Sequence, residues 1–322
     1  MVNGADIMKR QIIAGIDVGG TSVKIGFFTT DYELMEKWST ETKKSFSADE
    51  LVEEIAESVK NKLKEKTYDN CELISAGMGV PGSVSDGLVT YAPNIRWENF
   101  DAAGHLGKLL NIPVAIQNDA NTAAYGELKC GSAKGKTSIC FVTLGTGVGG
   151  GMVTNNHIID GFCGCGGEIG HITVNKNETK KCGCGRCGCL EQYVSATGIA
   201  NMAHEFMNKD TDRTSVLYNY DKITAKEVFD AAKAKDKLSL EITDKFGQIL
   251  GLALSNIACV FNPQIIVIGG GVSAAGNIII DYVQKYFMEN AYSACKNTEF
   301  AIASLGNDAG IYGAACIAQN KF

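Results

Sequence analysis

The sequence IIAGIDVGGTSVKIGFFTT, residues 12–30, joins two apolar runs through a turn with two adjacent glycines. Runs of β-branched and aromatic residues favour strands, and glycines favour the turn between them, so the stretch predicts a β-hairpin. Residues 138–153, SICFVTLGTGVGGGMV, repeat this pattern. Each hairpin brings backbone N–H groups to the end of its own sheet. The repeat therefore predicts two related α/β lobes that meet near residue 120, with a cleft between them.

The segments around the two hairpins predict the helices and further strands of these lobes. Apolar residues recur at helical spacing in residues 47–64, where Ser47 and Glu50 form a capping box. The other predictions are strands at 73–82 and 114–120, helices at 192–206 and 225–259, a buried strand at 265–271, a helix at 274–288, a strand at 299–305 and a helix at 308–319.

The composition excludes several classes of protein. The 322 residues are 45% hydrophobic, enough for a large core, and the net charge of −6 has the wrong sign for neutralising nucleic-acid phosphates. No stretch reaches the roughly 18 apolar residues of a membrane span, and the first residues do not resemble a signal peptide. We therefore expect a cytoplasmic protein with neither nucleic acid nor membrane as a partner.

The turn between the first two strands has the residues that a phosphate site needs. Gly19 and Gly20 let the backbone approach a phosphate closely, and Thr21 offers a hydroxyl donor. Asp17 can hold Mg²⁺, directly or through water. The alternative is an ordinary hairpin turn with an exposed aspartate.

The glycine motifs resemble, in order, the nucleotide-binding motifs of the actin-like ATPase and sugar kinase superfamily. Asp17 to Lys24 resembles its first phosphate motif, and Leu144 to Gly151 resembles its second. A third motif after a buried strand resembles the superfamily's adenosine motif. No GK[ST] follows any of these glycines, so a P-loop is excluded. The glycines and the threonine of the second and third motifs are Gly145, Thr146, Gly147, Gly269, Gly270 and Gly271.

Asn118 and Asp119 lie at the end of a predicted strand and the start of a helix. A carboxylate there can accept the proton of a sugar hydroxyl while its oxygen attacks a phosphorus atom, and Asn118 can hold a neighbouring hydroxyl. We therefore predict that Asp119 is the catalytic base. The alternative is that one of the two side chains merely caps the helix.

A cluster of cysteines follows the segment Gly167 to His171 and predicts a metal site. Three thiolates and one imidazole make a closed tetrahedral zinc site, which is structural because no position remains for a reacting water. Cys187 offers another thiolate, which leaves open an all-thiolate site without His171. Cys163 and Cys165 could add ligands, form a redox pair or simply pack in a glycine turn.

GEIGH and CGCGRCGCLE, residues 167–171 and 182–191, fit the two motifs that identify the ROK family, and the resemblance extends over residues 12 to about 316. It implies two ribonuclease-H-like lobes of the actin-like ATPase and sugar kinase superfamily, with ATP, Mg²⁺ and a structural zinc ion as cofactors. By the same resemblance, zinc is bound by His171, Cys182, Cys184 and Cys189, and the sugar contacts Gly82, Asn94, Asn118, Asp119, Glu168, His171 and Glu191.

The resemblance also implies the division of the chain and its assembly. Residues 1–120 would form a smaller N-terminal lobe, and residues 121–307 a larger lobe with the zinc site. The helix at about 308–322 would return to the first lobe. A homodimer is usual among relatives, so we expect one here.

ROK proteins include sugar kinases and sugar-responsive repressors. The repressors carry an added N-terminal helix-turn-helix, whereas the first strand here is predicted by about residue 12, which favours a kinase. The NDAN, GEIGH and APN segments resemble those of the family's glucose kinases, so we expect phosphorylation of glucose at the 6-hydroxyl. The alternatives are a kinase for N-acetylmannosamine, fructose or allose and a sensor that binds sugar without catalysis.

Overall fold

The computed structural model describes residues 9–43 and 45–320, in which the chain forms two compact units. Unit 1 contains the described residues up to Gly131, the segment Ile158–Gly166, and the described residues from Asn307 onward. Unit 2 contains Ser132–His157 and Gly167–Gly306. Residues 1–8 and 321–322, which the sequence analysis assigned to the first lobe, lie outside the described residues.

The elements follow one another in an α/β order. Up to residue 129 they are β1 (Arg10–Val18), β2 (Ser22–Thr29), β3 (Leu34–Glu41), α1 (Ala48–Leu63), β4 (Cys71–Val80), β5 (Ser83–Ser85), β6 (Leu88–Ala92), β7 (Trp97–Phe100), α2 (Ala102–Leu110), β8 (Val114–Asn118) and α3 (Asp119–Lys129). They continue with β9 (Ile139–Leu144), β10 (Val148–Thr154), β11 (His157–Ile158), α4 (Glu191–Val194), α5 (Ala196–Lys209), α6 (Ala225–Lys233), α7 (Lys237–Phe261), β12 (Ile265–Gly269), α8 (Asn277–Asn290), β13 (Glu299–Ile302) and α9 (Ala309–Asn320).

The main sheet of unit 1 has the strand order β3-β2-β1-β4-β8. β1 pairs antiparallel with β2, which places Asp17 opposite Lys24, and pairs parallel with β4. Successive side chains of β1 point to opposite faces, so Ile12 packs in the core with α1 while Ile13 packs with α9. The glycine turn after β1 thus lies at the end of a sheet that helices cover on both faces.

Helix α9 lies unusually close to the sheet of unit 1. A Cβ at Gly15 or at Gly77 would collide with the backbone of α9, at Ile311 and Ala314 respectively. Only glycine allows strand and helix backbones to approach this closely. The end of β1 and the start of α9 are therefore held together.

Unit 2 repeats this arrangement with the strand order β11-β10-β9-β12-β13. β9 is antiparallel to β10 and parallel to β12, as β1 is to β2 and β4. Its core contains the buried strand residues Val142 and Ile268 and the helices α5 to α8. The repeated hairpin therefore belongs to two sheets of one design, as the sequence predicts.

Two predicted helices are each divided in the structure. The helical pattern of residues 225–259 forms α6 and α7, which are separated at Lys235, a residue in the left-handed region with φ 67°, and at Asp236, which caps α7. Residues 192–206 belong to α4 and α5, with Ser195 as the cap of α5. The apolar periodicity continues across both breaks, so it did not reveal them.

Among the described residues, no helix combines the length and the apolar character that crossing a membrane requires.

Candidate active site

The first glycine turn is a tight connection between β1 and β2 in unit 1. The Gly19 N–H donates to Ser22 O at 3.0 Å, and the Gly19 carbonyl accepts from Thr42 Oγ1 at 2.8 Å. Gly20 and Thr21 are exposed at the tip of the turn. Their backbone N–H groups and the Thr21 hydroxyl are thus accessible to an anion.

Asp17, just before this turn, lies against the first turn of α9. A Cβ at Gly310 would lie 2.7 Å from Asp17 Oδ2, so a side chain there would displace the carboxylate. Lys24 Nζ lies 3.9 Å from Asp17 Oδ2 and donates to Asn307 O at 2.7 Å. Burial raises the pKa of Asp17, and the positive charge of Lys24 opposes this shift. A cation at the carboxylate would favour the ionised form in the same way as Lys24 does.

Asn118 is the N-cap of α3. Its Oδ1 accepts hydrogen bonds from Ala120 N at 2.9 Å and from Asn121 N at 3.1 Å, and its Nδ2 donates to Gly82 O at 2.9 Å. Asn118 therefore caps α3, which is the alternative role that the sequence left open for Asn118 or Asp119. Asp119 is the first residue of the helix and is half-buried, and its Oδ1 accepts from Ala120 N at 2.8 Å.

Gly82 and Asn94 lie beside these groups in unit 1. Gly82 has φ 122°, and a Cβ there would lie 2.7 Å from the Cα of Ala92, so the position requires glycine. A Cβ at Gly20 would lie 3.7 Å from Asn94 O, which places Asn94 next to the first glycine turn. Unit 1 thus brings Gly82 to Asn118 and Asn94 to Gly20.

The second glycine turn and the third glycine motif of unit 2 meet at one cavity, which Gly145, Thr146 and Gly271 line but Gly147, Gly269 and Gly270 do not. Gly145 N donates to Gly147 O at 3.0 Å, and Gly145 O accepts from Ala196 N at 2.8 Å. Gly269 pairs with Thr143 at the end of β12. Gly270 has φ 81°, and a Cβ there would contact the Leu144 backbone at 2.5 Å. The cavity has a volume of 470 Å³ and is lined by Gly145, Thr146, Ala196, Thr224, Ala225, Lys226, Phe229, Asp230, Gly271, Val272, Ala274 and Ala275.

Four side chains of unit 2 form a group that could hold a metal ion. The ligand atoms of His171, Cys182, Cys184 and Cys189 all lie within 4.8 Å of one another. Cys182 Sγ is 3.8 Å from His171 Nδ1, and Cys184 Sγ is 3.6 Å from Cys189 Sγ. Burial raises the pKa of the Cys189 thiol to about 12, and the Arg186 backbone N–H lowers the pKa of Cys184.

The Glu191 carboxylate connects this group with the second glycine turn. Its Oε2 accepts from Val148 N at 3.1 Å, and its Oε1 lies 3.5 Å from Cys182 Sγ. A Cβ at Gly147 would collide with the same carboxylate. Glu168 is exposed, and its carbonyl accepts from His171 N at 3.1 Å. The turn, the carboxylate and the cysteine group therefore form one continuous structure.

The remaining cysteines of interest do not belong to this four-ligand group. Cys187 Sγ is 3.6 Å from Thr179 O, so the four-ligand group includes His171 instead of Cys187. Cys163 and Cys165 are exposed thiols of unit 1, and Cys165 Sγ lies 3.4 Å from Ser83 Oγ.

The glycine cavity is also lined by Thr224, Lys226 and Phe229, which the sequence does not predict as site residues. They lie at the start and along one face of α6, where the apolar periodicity predicts only a core-facing helix. A capping box formed by Thr224 and Glu227 marks the start of α6, but a helix cap does not predict that the residues near it bind a ligand.

Comparisons with known proteins agree with this arrangement. Glucokinase from Halalkalibacterium halodurans is 40% identical over 98% of this chain and 97% of its own length. Glucokinase from Thermotoga maritima is 34% identical over 98% of this chain and 99% of its own. The crystal structure of a ROK family glucokinase from Streptomyces griseus, in complex with glucose and AMPPNP, superimposes with a TM-score of 0.76, 29% identity and coverage of 96% of this chain and 99% of that chain.

The similarity extends over the whole fold and not only over the glycine motifs. The solved structures confirm two lobes of the actin-like ATPase and sugar kinase fold as the fold class. The ROK family profile matches residues 13–321, from β1 through α9. The chain is therefore a member of the ROK family.

Proposed function

We propose that the protein transfers the γ-phosphoryl group of ATP to the 6-hydroxyl of a hexose, with glucose as the preferred sugar. The observation that carries the proposal is the 470 Å³ cavity of unit 2, which is lined by Gly145 and Thr146 of the second glycine turn and by Gly271 of the third motif. The backbone N–H and hydroxyl of Thr146 suit phosphates, and the apolar faces of Phe229 and Val272 suit a nucleobase. The similarity to glucokinases over nearly the whole chain supports glucose as the acceptor.

In this proposal Asp119 accepts the proton of the sugar hydroxyl. An aspartate is a weak base towards an alcohol, so its main contribution is to orient the attacking oxygen and to take the proton late in a loose transition state. Asp17 would hold the Mg²⁺ of the nucleotide, directly or through water, and the ion would neutralise charge on the phosphates. Gly19, Gly20, Thr21 and Lys24 would contact the phosphates as well.

The sugar hydroxyls would be bound by ionised carboxylates and by amides. Glu168 and Glu191 each offer two acceptor oxygens in fixed directions, which suits a polyol. His171 can donate through the ring nitrogen that does not face a metal. In unit 1 the Asn118 amide, held by Gly82, and Asn94 would add further contacts.

We further propose that His171, Cys182, Cys184 and Cys189 bind a structural Zn²⁺ ion. In a tetrahedron with zinc–sulfur bonds of about 2.3 Å, two sulfur ligands lie about 3.8 Å apart. The 3.6 Å between Cys184 Sγ and Cys189 Sγ, and the 3.8 Å between Cys182 Sγ and His171 Nδ1, fit these edges. Four protein ligands leave no position for water, so the ion would stabilise the segment that carries Glu191.

We also propose that the protein works in the cytoplasm as a homodimer. Cys163, Cys165 and Cys184 are exposed thiols, which fits a reducing compartment. On α7 the apolar side chains of Leu252 and Val260 are exposed, Val260 by 91%, which supports a partner surface there. Light scattering after size exclusion should give twice the chain mass, and a monomer at assay concentrations would contradict the dimer.

The function is tested by an assay of ADP release with ATP and Mg²⁺ against glucose, mannose, fructose, allose, N-acetylglucosamine and N-acetylmannosamine. We expect turnover dominated by glucose and its loss in Asp119→Ala, with glucose affinity largely retained. Dominant turnover of another sugar would replace glucose as the substrate. Turnover in Asp119→Ala would refute the assigned base, and glucose binding without turnover of any sugar would indicate a sensor.

A further inference from the structure

We propose that Asp160 is a positioning residue that holds the end of β8 and so orients Asn118 and Asp119 for phosphoryl transfer. The inference rests on the proposed function, because it assigns a purpose to the geometry around the proposed base. Asp160 lies 41 residues beyond Asp119 in the sequence, in the segment Ile158–Gly166 that packs in unit 1.

Asp160 reaches the backbone of Asn118 through one intervening side chain. Its Oδ1 accepts a hydrogen bond from Gln117 Nε2 at 2.7 Å. Gln117 Oε1 in turn accepts from the Asn118 N–H at 2.7 Å. Gln117 is 5% exposed, so its amide is almost completely removed from water. The carboxylate therefore fixes which end of the Gln117 amide faces Asn118.

The same carboxylate oxygen also faces the first turn of α3. Asn121 Nδ2 lies 3.5 Å from Asp160 Oδ1, and the Asn121 N–H donates to Asn118 Oδ1 at 3.1 Å. Asn121 is 1% exposed, and its Oδ1 is without a hydrogen-bond partner in the described structure. The side-chain amide of Asn121 is thus oriented by the contact of its Nδ2 with Asp160. Asp160 contacts residues on both sides of the Asn118–Asp119 pair.

Asp160 is itself held by close backbone contacts. The Gly166 N–H donates to Asp160 O at 2.6 Å, which closes a turn over Gly161, whose φ is 72°. A Cβ at Gly166 would lie 2.7 Å from the carbonyl carbon of Asp160. At Gly164, where φ is 76°, a Cβ would collide with the backbone of Val84. The glycines therefore restrict the backbone of the segment that carries the Asp160 carboxylate.

A merely structural role would be to satisfy the buried amide of Gln117. Such a role affects the stability of the fold but not the turnover of folded protein. A positioning role affects turnover, because a displacement of about 1 Å in a reacting group can lower a rate on the order of 100-fold. The two roles are separated by comparing kcat with the KM for ATP and with thermal stability.

The test compares Asp160→Ala, Asp160→Asn, Gln117→Ala and the double variant Asp160→Ala/Gln117→Ala in the ADP-release assay with glucose. We expect Asp160→Ala to lower kcat at least 10-fold while the KM for ATP stays within about twofold. Asp160→Asn keeps an acceptor oxygen for Gln117 and should recover kcat to within about threefold of the natural chain. Asp69→Ala, which removes an exposed aspartate of unit 1, should leave kcat unchanged.

The double variant tests whether Asp160 acts through Gln117. We expect Gln117→Ala to lower kcat by a similar factor and the double variant to be no worse than the poorer single variant. Losses that multiply, or a natural kcat in Asp160→Ala, would overturn the proposal. If Asp160→Ala does not fold, a natural kcat in Gln117→Ala would overturn it instead. Turnover in Asp119→Ala would refute the assigned base, whereas a loss there with a natural kcat in Asp160→Ala would refute the positioning role alone.

Discussion

Replacing Gly313 with alanine should separate the two helices of unit 1 that meet behind the proposed base. A Cβ at Gly313 would lie 2.6 Å from Thr122 C and 3.0 Å from Gly126 N, and closer still to Thr122 O. These are backbone atoms of α3, which cannot rotate away as a side chain can. Carbon atoms in good contact are about 3.5 Å apart, so α9 would have to move about 1 Å from α3.

The expected cost follows from two opposing effects. Alanine in a helix interior is favoured over glycine by about 1 kcal/mol, whereas overpacking of a close contact costs up to about 3 kcal/mol. The difference is a net destabilisation of roughly 2 kcal/mol, or about 4–8 °C in melting temperature for a unit of this size. Because Thr122 Oγ1 donates to Asn118 O at 2.7 Å, kcat should fall as well.

The melting temperature is measured by intrinsic fluorescence, with Gly107→Ala in α2 as the matched control. A Cβ at Gly107 would meet its nearest atom, Ile112 O, at 3.0 Å and the next at 3.7 Å, so this variant should melt within about 3 °C of the natural chain. A Gly313→Ala variant as stable as the natural chain, or more stable, would refute the close packing of α9 on α3.

Three further tests concern the metal group, the cavity and one surface ion pair. Cys184→Ser should lose bound zinc, measured by plasma mass spectrometry, while Cys187→Ser retains it; equal retention in both variants would contradict the ligand set. Gly271→Ala should leave the melting temperature unchanged, because no protein atom lies within 4 Å of the added Cβ. The methyl group would occupy part of the cavity, so the KM for ATP should rise on the order of 10-fold. An unchanged KM would indicate that the nucleotide binds elsewhere. A hydrogen bond from Lys62 lowers the pKa of Glu36 in the folded protein. The ionised carboxylate therefore stabilises the fold at pH values above the pKa that Glu36 has in the unfolded chain. This contribution is lost as the pH falls through the lower pKa of the folded protein. Glu36→Gln should thus cost less than about 1 kcal/mol at pH 7, and a stability difference that persists at about pH 3 would argue against this linkage.

The elements with simple periodicity could be predicted from the sequence. Both hairpins and the capping box of Ser47 and Glu50 appear in the structure at the expected places. Strand β3, with the sequence LMEKWSTE, was missed because an edge strand with charged residues lacks a continuous apolar run. Helix α2 was missed too, since its nine residues contain two glycines.

The site could be predicted only where its residues are close in sequence. Asn118 and Asp119 are adjacent, and the cysteines fall in one short segment, so composition and spacing indicate their chemistry. The contact of Gln117 with Asp160 spans 43 positions and depends on the path of the chain through unit 1. The α6 residues of the cavity are likewise brought to the glycines only by packing of α6 against α5, α7 and the segment Gly271–Ala275 after β12.

Unit 1 is assembled from three separate stretches of chain, the last of which contains α9. During synthesis on a ribosome, β1 and β4 emerge long before α9, so Gly15 and Gly77 stay uncovered while the whole of unit 2 is translated. Unit 2 can therefore complete its core before α9 is available, and the unit that carries the proposed base is finished last. A chain that ends at residue 306 should thus contain a protease-resistant unit 2 and a protease-sensitive unit 1.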